Sequence, residues 1–400
     1  MKISKTKGMG QYSLTEVESD AGKREFLSFP SKLYRKDKNW IRPLDEDIEA
    51  IFDPAKNKNF RQGDAIRWLL KDEKKNTVGR VAAFYNEKSA RKNDQPTGGL
   101  GFFDCIDDQE AANTLFDACR SWLSGKGMEA MDGPVNFGER DSFWGCLVEG
   151  FIEPIYNMPY NFPYYQKLFE SYGFRNYFNQ YTYGRDFSPG GLDPVVQEKA
   201  ERIARNKDYT FKTITWKNNE KFAEDFMIIF NKAWAGFPGV KKISKVHAVG
   251  LLKKMKPIMD TRLVHYAYYK DDPIAFFIMM PDLYQIIRKF NGKFHLLNKL
   301  RLIYNLRYRK SCTRVIGRIF GVVPEHQGKG LEAGLVKAFE KIAMKPDFKY
   351  DELQMNWIGD FNPSMIKVVE QIGGKVFKTH VTYRYLFDPS KTFTRARVVN

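Results

Sequence analysis

The run Ile319-Phe-Gly-Val-Val-Pro-Glu-His-Gln-Gly-Lys-Gly-Leu-Glu-Ala-Gly334 decides how this 400-residue chain is read. Its first part is a β-branched strand ending at Pro324. From Leu331 onward, Leu331, Leu335, Val336, Phe339 and Ile342 follow the 3–4 spacing of a helix with one buried face. Between the two lies Gln327-Gly-Lys-Gly330. At such a junction the first N–H groups of the helix have no acceptor inside it. The helix dipole adds partial positive charge, and glycine permits φ > 0 and close approach of an anion. The stretch therefore reads as a pyrophosphate cradle, the plain alternative being an ordinary glycine-rich turn. The GxxxxGK(S/T) spacing of a triphosphate loop is absent, and so is GxGxxG within a βαβ unit.

Outward from this run, charge separates the two halves. Residues 1–188 hold 27 Lys and Arg against 28 Asp and Glu, which leaves 38 and 20 of the totals of 65 and 48 to residues 189–400. The whole excess of +17 sits with the loop, which points to an anionic partner (a phosphorylated cofactor, an anionic membrane surface or a nucleic acid), the plain alternative being a solubilising surface. At 43% hydrophobic and 15% aromatic, the chain has the apolar material for buried cores, which excludes global disorder. Its longest apolar run, 274–280, is a buried strand by length, far short of the ~20 residues that span a bilayer. The opening Met1-Lys-Ile-Ser-Lys-Thr-Lys has no apolar core and does not read as a secretory signal. Four scattered cysteines without CxxC and five unclustered histidines give no metal centre and fit a reducing cytoplasmic setting.

The pattern predicts strands at 66–71, 77–85 and 98–105, a helix at 109–123, an irregular stretch at 133–163, a helix at 164–172 and a strand through 183. Ser188-Pro-Gly-Gly-Leu-Asp-Pro194 is the best linker. Beyond it come a helix at 195–206, strands at 210–215, 262–269, 273–280, 314–323 and 353–358, helices around 222–233, 331–343 and from 363 to 373, and a last strand at 376–387. A weak repeat at a spacing of 200 aligns Glu170-Ser-Tyr-Gly173 with Glu370-Gln-Ile-Gly373, through to Thr182-Tyr183 and Thr382-Tyr383. It suggests two copies of one α/β unit: residues 1–188, a linker at 189–194, and residues 195–400.

The loop with its approach strand resembles the coenzyme A motif of the GNAT superfamily of N-acyltransferases. Val322 and Pro324 fit the approach; Gln327, Gly328 and Gly330 fit the loop. Glu332 departs from it, standing where Gly or Ala is usual. The tract Met355-Asn-Trp-Ile-Gly-Asp-Phe-Asn362 is similar to a bacterial group of about 400 residues with tandem GNAT-like domains. The resemblance implies an α/β (α+β) fold of two mixed sheets flanked by helices, with acyl-coenzyme A as donor and no metal. It implies cofactor contacts from Phe320, Gly321, Val322, Val323, Gln327, Gly328, Lys329, Gly330, Leu331 and Asn362. Candidates for the chemistry are Tyr383 or Tyr385 as the acid that protonates sulfur, and Glu325, His326 or His265 as the base; each of these bases has a plain structural reading as well, and Asn362 has one as a helix cap. Residues 1–188 carry Cys105-Ile-Asp-Asp-Gln-Glu at the loop position and read as a copy without cofactor binding.

Residues 284–310 hold eight Lys and Arg and no acid, interleaved with apolar residues, where a compact domain of this kind has a tight turn. The insert reads as a basic amphipathic segment: a lid on its own domain, a contact for an anionic membrane or lipid substrate, or, third in rank, for nucleic acid. The leading expectation is a cytoplasmic acyl-coenzyme A N-acyltransferase, at most peripheral to the membrane, acting on a small or lipid-like amine. The alternatives are a transferase related to the Fem proteins and a non-catalytic binding protein on the same scaffold.

Overall fold

The computed structural model describes residues 11–92, 95–187, 192–233 and 242–398. The N-terminal heptapeptide and the first half of the expected linker at 189–194 lie outside the described residues.

In chain order the first half forms β1 (Tyr12–Glu16), α1 (Asp20–Leu33), α2 (Asp45–Phe52), β2 (Gly63–Asp72), β3 (Thr77–Asn86), α3 (Glu87–Ala90), β4 (Thr97–Cys105), α4 (Gln109–Gly125), β5 (Ala130–Gly133), β6 (Cys146–Glu149), α5 (Tyr164–Tyr172) and β7 (Arg175–Asp186). The second half forms α6 (Pro194–Arg205), β8 (Tyr209–Thr213), α7 (Asn219–Ala233), α8 (Lys245–Met255), β9 (Val264–Tyr269), β10 (Asp272–Pro281), α9 (Tyr284–Ile287), α10 (Leu296–Arg307), β11 (Arg314–Val322), α11 (Leu331–Ala343), β12 (Glu352–Gly359), α12 (Pro363–Gln371) and β13 (Lys375–Leu386). Periodicity alone did not reveal α8. Among its residues only Ala248 is buried, so it presents no apolar stripe to detect.

These elements gather into two units. One holds the chain up to Gln180 with Asn291–Lys293 and Thr379–Ala396; the other holds Tyr181–Phe290 and Phe294–Lys378. The strand order is β1-β2-β3-β4-β5-β13 in the first, and β8-β9-β10-β11-β12-β7 in the second. In each, the first four strands are antiparallel and the fourth pairs in parallel with the fifth. Both are mixed sheets with helices against them, the expected fold class.

The expected boundary at 195–400 differs from this division at the last strands. From Thr379 onward β13 belongs to the first unit, and from Tyr181 onward β7 belongs to the second. The side chains explain the exchange. Tyr383 stacks on Phe169 with ring centroids 5.4 Å apart, and Tyr385 lies 4.9 and 5.4 Å from Tyr172 and Phe174. Arg384 makes two bonds to the Asp132 carboxylate, at 2.6 and 2.8 Å. The 200-residue repeat is visible here. Gly173 and Gly373, at φ 110° and 84°, close α5 and α12. In the first unit the Tyr383 hydroxyl donates to Glu170 at 3.0 Å, and in the second burial first, and then the nearby Glu370 carboxylate, raise the pKa of Tyr183.

In the first unit α4 buries Ala112, Leu115, Phe116, Cys119 and Leu123, the predicted face. Phe116 packs among Phe103, Phe169 and Phe174, and truncating such a ring costs about 3–5 kcal/mol. In the second unit α11 buries Leu331, Leu335, Val336 and Phe339. A β-carbon on Gly334 would stand 2.4 Å from Phe211 Cζ, so glycine lets α11 settle close against β8.

Candidate active site

β11 and β12 pair from Arg314/Glu352 to Gly317/Met355 and no further, although β11 runs on to Val322 and β12 to Gly359. The strands part there. A register shift against β10, with Ile278 opposite Ile319 but Met279 opposite Gly317, leaves Arg318 as an extra residue at the parting. Such a bulge bends the strand that carries it. Farther along, the Val323 N–H donates to Ile274 O of β10 at 2.9 Å. By strand alternation the N–H groups of Phe320 and Val322 then face away from β10, toward the opening. Gln327 agrees with this: its Nε2 donates to Val322 O at 3.1 Å, tying the loop back to the strand. On β12 the first residue past the last pair is Asn356. Its Oδ1 is buried with no hydrogen-bond partner among the described residues.

After a single 3-10 turn (Pro324–His326), the loop reaches α11 through two left-handed glycines, Gly328 at φ 70° and Gly330 at φ 89°. A side chain in that conformation costs roughly 1–2 kcal/mol. Gly330 is the N-cap, and no side chain caps the helix. The first bond inside it runs from the Gly334 N–H to Gly330 O at 3.2 Å, so the N–H groups of Leu331, Glu332 and Ala333 have no acceptor within the helix. Two cations of α6 border the same place. Arg202 Nη2 donates to Lys329 O at 3.4 Å, and a β-carbon on Gly330 would lie 3.2 Å from Lys199 Cβ. Lys329 itself is exposed. Unpaired N–H groups, a helix dipole and three cations thus converge at the end of the loop that follows β11, a setting that favours an anionic group.

The other predicted site residues are distributed as follows. Glu325 is exposed at the start of the loop. His326 is half-buried, with Nδ1 3.3 Å from the Tyr209 hydroxyl and its ring 5.2 Å from that of Tyr269. Burial, and then the nearby Lys329 charge, hold its pKa below the ordinary histidine value. His265 is buried on β9 with Nε2 2.8 Å from Arg262 O and its ring edge-on to Phe339; burial pushes its pKa down to about 4. It is a neutral core side chain bonded to a backbone carbonyl. The Asn362 side chain accepts the Met365 N–H at 3.2 Å and caps α12. Tyr383 and Tyr385 lie in the core of the first unit. The structure thus brings together Phe320, Gly321, Val322, Val323 and the loop from Gln327 to Leu331, and leaves His265, Tyr383 and Tyr385 out of that cluster. Sequence reasoning passed over Lys199, Arg202, Asn356 and Tyr181. The basic bias of the second half was the signal for the first two; the 200-residue repeat pairs Tyr183 with Tyr383 but sets Tyr181 against Val381, and so gave none for the last. Among the described residues, no group of three His, Cys, Asp or Glu is placed to hold a metal ion.

No protein-family model matches the chain. It is similar to "Protein YghO" of Escherichia coli (strain K12), 27% identical over 370 residues, which is 90% of this chain and 92% of that protein. It is also similar to "Bacterial ceramide synthase" of Caulobacter vibrioides (strain NA1000 / CB15N), 24% identical over 381 residues, 93% of this chain and 96% of that one. Among solved structures, a tandem GNAT protein from the clavulanic acid biosynthesis pathway superposes with a TM-score of 0.51 at 10% identity, covering 95% of this chain and all 100% of that one. A GCN5-related glucosamine N-acetyltransferase region of a fungal multi-domain β-N-acetylglucosaminidase gives 0.50 at 12% identity, covering 94% of this chain and 38% of that one. The fold is that of tandem GNAT proteins.

Proposed function

We propose that the second unit binds an acyl-coenzyme A thioester along the parting of β11 and β12 and transfers its acyl group to an amine. The fold and the Caulobacter relative support acyl transfer as the class of reaction. The observation that carries the reading is the opening past Gly317/Met355, which runs toward the end of β11 from which the loop leads to the uncapped, cation-bordered start of α11. A slot with an anion site at one end suits an extended pantetheine arm that ends in a diphosphate.

The reaction needs the amine nitrogen to attack the thioester carbon, the C–S bond to break, the amine to lose a proton and the sulfur to gain one. The N–H groups of Phe320 and Val322 are the donors available to the carbonyl oxygen as charge develops on it. Glu325 and His326 are the titratable groups at the end of the same strand. The strand beside β12 is β7, and the tyrosines in the part of it that belongs to the second unit are Tyr181 and Tyr183. Tyr183 is buried, and burial, then the nearby Glu370 charge, raises its pKa. Tyr181, half-buried, is therefore the candidate to protonate sulfur. The ceramide synthase of Caulobacter, as a relative, favours a long-chain amine acceptor and a long acyl donor.

The test is thiol release from acetyl- and palmitoyl-coenzyme A, each with small amines and with long-chain amino alcohols. Amine-dependent release, greatest with palmitoyl donor and long-chain amine, is expected. Release that ignores the amine would mean hydrolysis, and thioester binding without turnover on any amine would make the chain a binding protein; either result overturns the proposal.

A further inference from the structure

The insert holds a helix turned the wrong way for a core. α10 directs Asn298, Leu302 and Leu306 inward, where all three are buried. Its opposite face carries Leu296, Leu297, Leu300 and Tyr304, which are 71, 62, 59 and 53% exposed, followed just past its end by Tyr308 at 74%. At 3.6 residues per turn, 296, 300, 304 and 308 form one stripe, with 297 beside it. A helix of a globular protein keeps such a stripe inside. The charges around it are also one-sided. Lys299, Arg301, Arg307, Arg309 and Lys310 are all exposed, and residues 284–310 contain no acid. Tyr304 and Tyr308 stack with centroids 5.7 Å apart, so the stripe ends in two rings that combine an apolar body with a polar tip.

We propose that α10 with its flanking basic residues is a docking surface for an anionic lipid bilayer. Both halves of the pattern then find partners: the leucines enter the boundary between headgroups and acyl chains, and the Lys and Arg side chains meet lipid phosphates. Nucleic acid would satisfy the charges and leave the leucines in water. A second copy meeting this face across a two-fold axis would bring like charges together. Among the described residues no helix is long and apolar enough to cross a membrane, so the contact is peripheral. This surface is independent of the acyl-transfer reading, and its test uses no donor or acceptor.

The full chain is floated with vesicles of phosphatidylcholine alone and of phosphatidylcholine with phosphatidylglycerol. Binding to the anionic vesicles is expected, falling by roughly tenfold or more as salt is raised. Leu296→Asp with Leu300→Asp, both exposed, should leave the thermal midpoint unchanged and reduce vesicle binding by about tenfold or more. Tyr304→Trp should show a blue-shifted emission only with anionic vesicles. Failure to bind either vesicle overturns the proposal. So does vesicle binding that the aspartates leave intact, or tight binding of a DNA duplex with equal indifference to them. A dimer in solution that the aspartates dissociate, without vesicle binding, would assign the face to a second copy instead.

Discussion

The same junction occurs once in each unit, and the two copies end in opposite states. In the first, β4 gives way to α4 after three residues, 106–108, and the Asp108 side chain accepts the Ala111 N–H at 2.7 Å, so the helix is capped by the chain's own carboxylate. The space beside β4 is also taken. Past the last β4–β5 pair, Gly99/Asp132, the Val135 N–H donates to Leu100 O at 2.7 Å, and a β-carbon on Gly101 would meet Val135 O at 1.8 Å. In the second, eight residues with two left-handed glycines lead to a helix that no side chain caps, beside strands that part after Gly317/Met355. Identical topology yields one closed joint and one receptive joint. The fold supplies the place, and a few residues decide whether anything can bind there.

The comparison breaks most easily at Gly330. Gly330→Asp gives the second junction the carboxylate of the first and forces a side chain to φ 89°. We expect a loss of about a thousandfold in kcat/KM, close to 4 kcal/mol at ~1.36 kcal/mol per tenfold, with thioester binding by calorimetry falling in step. Full turnover by this variant would remove the loop from the site altogether.

Acid should strike the second unit through His265. Its folded pKa of about 4 lies below the ordinary value of 6.5, so between those pH values the unfolded chain holds more protons than the folded one. Stability is complete above pH 6.5 and falls as pH drops toward 4, by about 3 kcal/mol from this group. Urea unfolding of wild type and His265→Gln at pH 7 and pH 4.5 measures it: the variant should show a shallower pH dependence. A catalytic base at this position would instead lose turnover at pH 7 while the pH dependence of stability stayed as in wild type.

The tyrosine pair sharpens the contrast from the side of chemistry. Tyr181→Phe should lower kcat by about tenfold with KM little changed, because a thiolate leaves tolerably without an acid near neutral pH. Tyr383→Phe, which leaves Glu170 short of a donor in the first unit, should lower the thermal midpoint and spare kcat. Equal kinetic losses in both variants would contradict the strand exchange.

Much of this was legible beforehand. The 3–4 spacing in 109–123 and 331–343 marked α4 and α11 to within two residues, and Gln327-Gly-Lys-Gly330 marked the open joint. The destination of the last strands was not legible. Alternating residues such as Val381, Tyr383 and Tyr385 report a buried face, and nothing in the alternation says whose core receives it. For the same reason Tyr383 and Tyr385 were natural candidates for the acid, while Tyr181, which the repeat sets against Val381, was passed over. His265 was ambiguous in another way: a histidine among apolar strand residues looks the same whether its ring faces a cleft or a core, and only Arg262 O and Phe339 decide it.

The smallest effect tests whether the closed joint is closed for structural reasons alone. Asp108→Ala removes the cap of α4 and should cost about 1 kcal/mol, read as a shift in the urea midpoint without a change in its slope. It also exposes the Ala111 N–H and deletes a negative charge, both steps toward the open state of the second junction. Yet Val135 still fills the place beside β4, and Asp107 remains. Thioester binding should therefore stay at one site per chain. A second site appearing by calorimetry would show that charge and capping, rather than the filled gap, had kept the first unit empty.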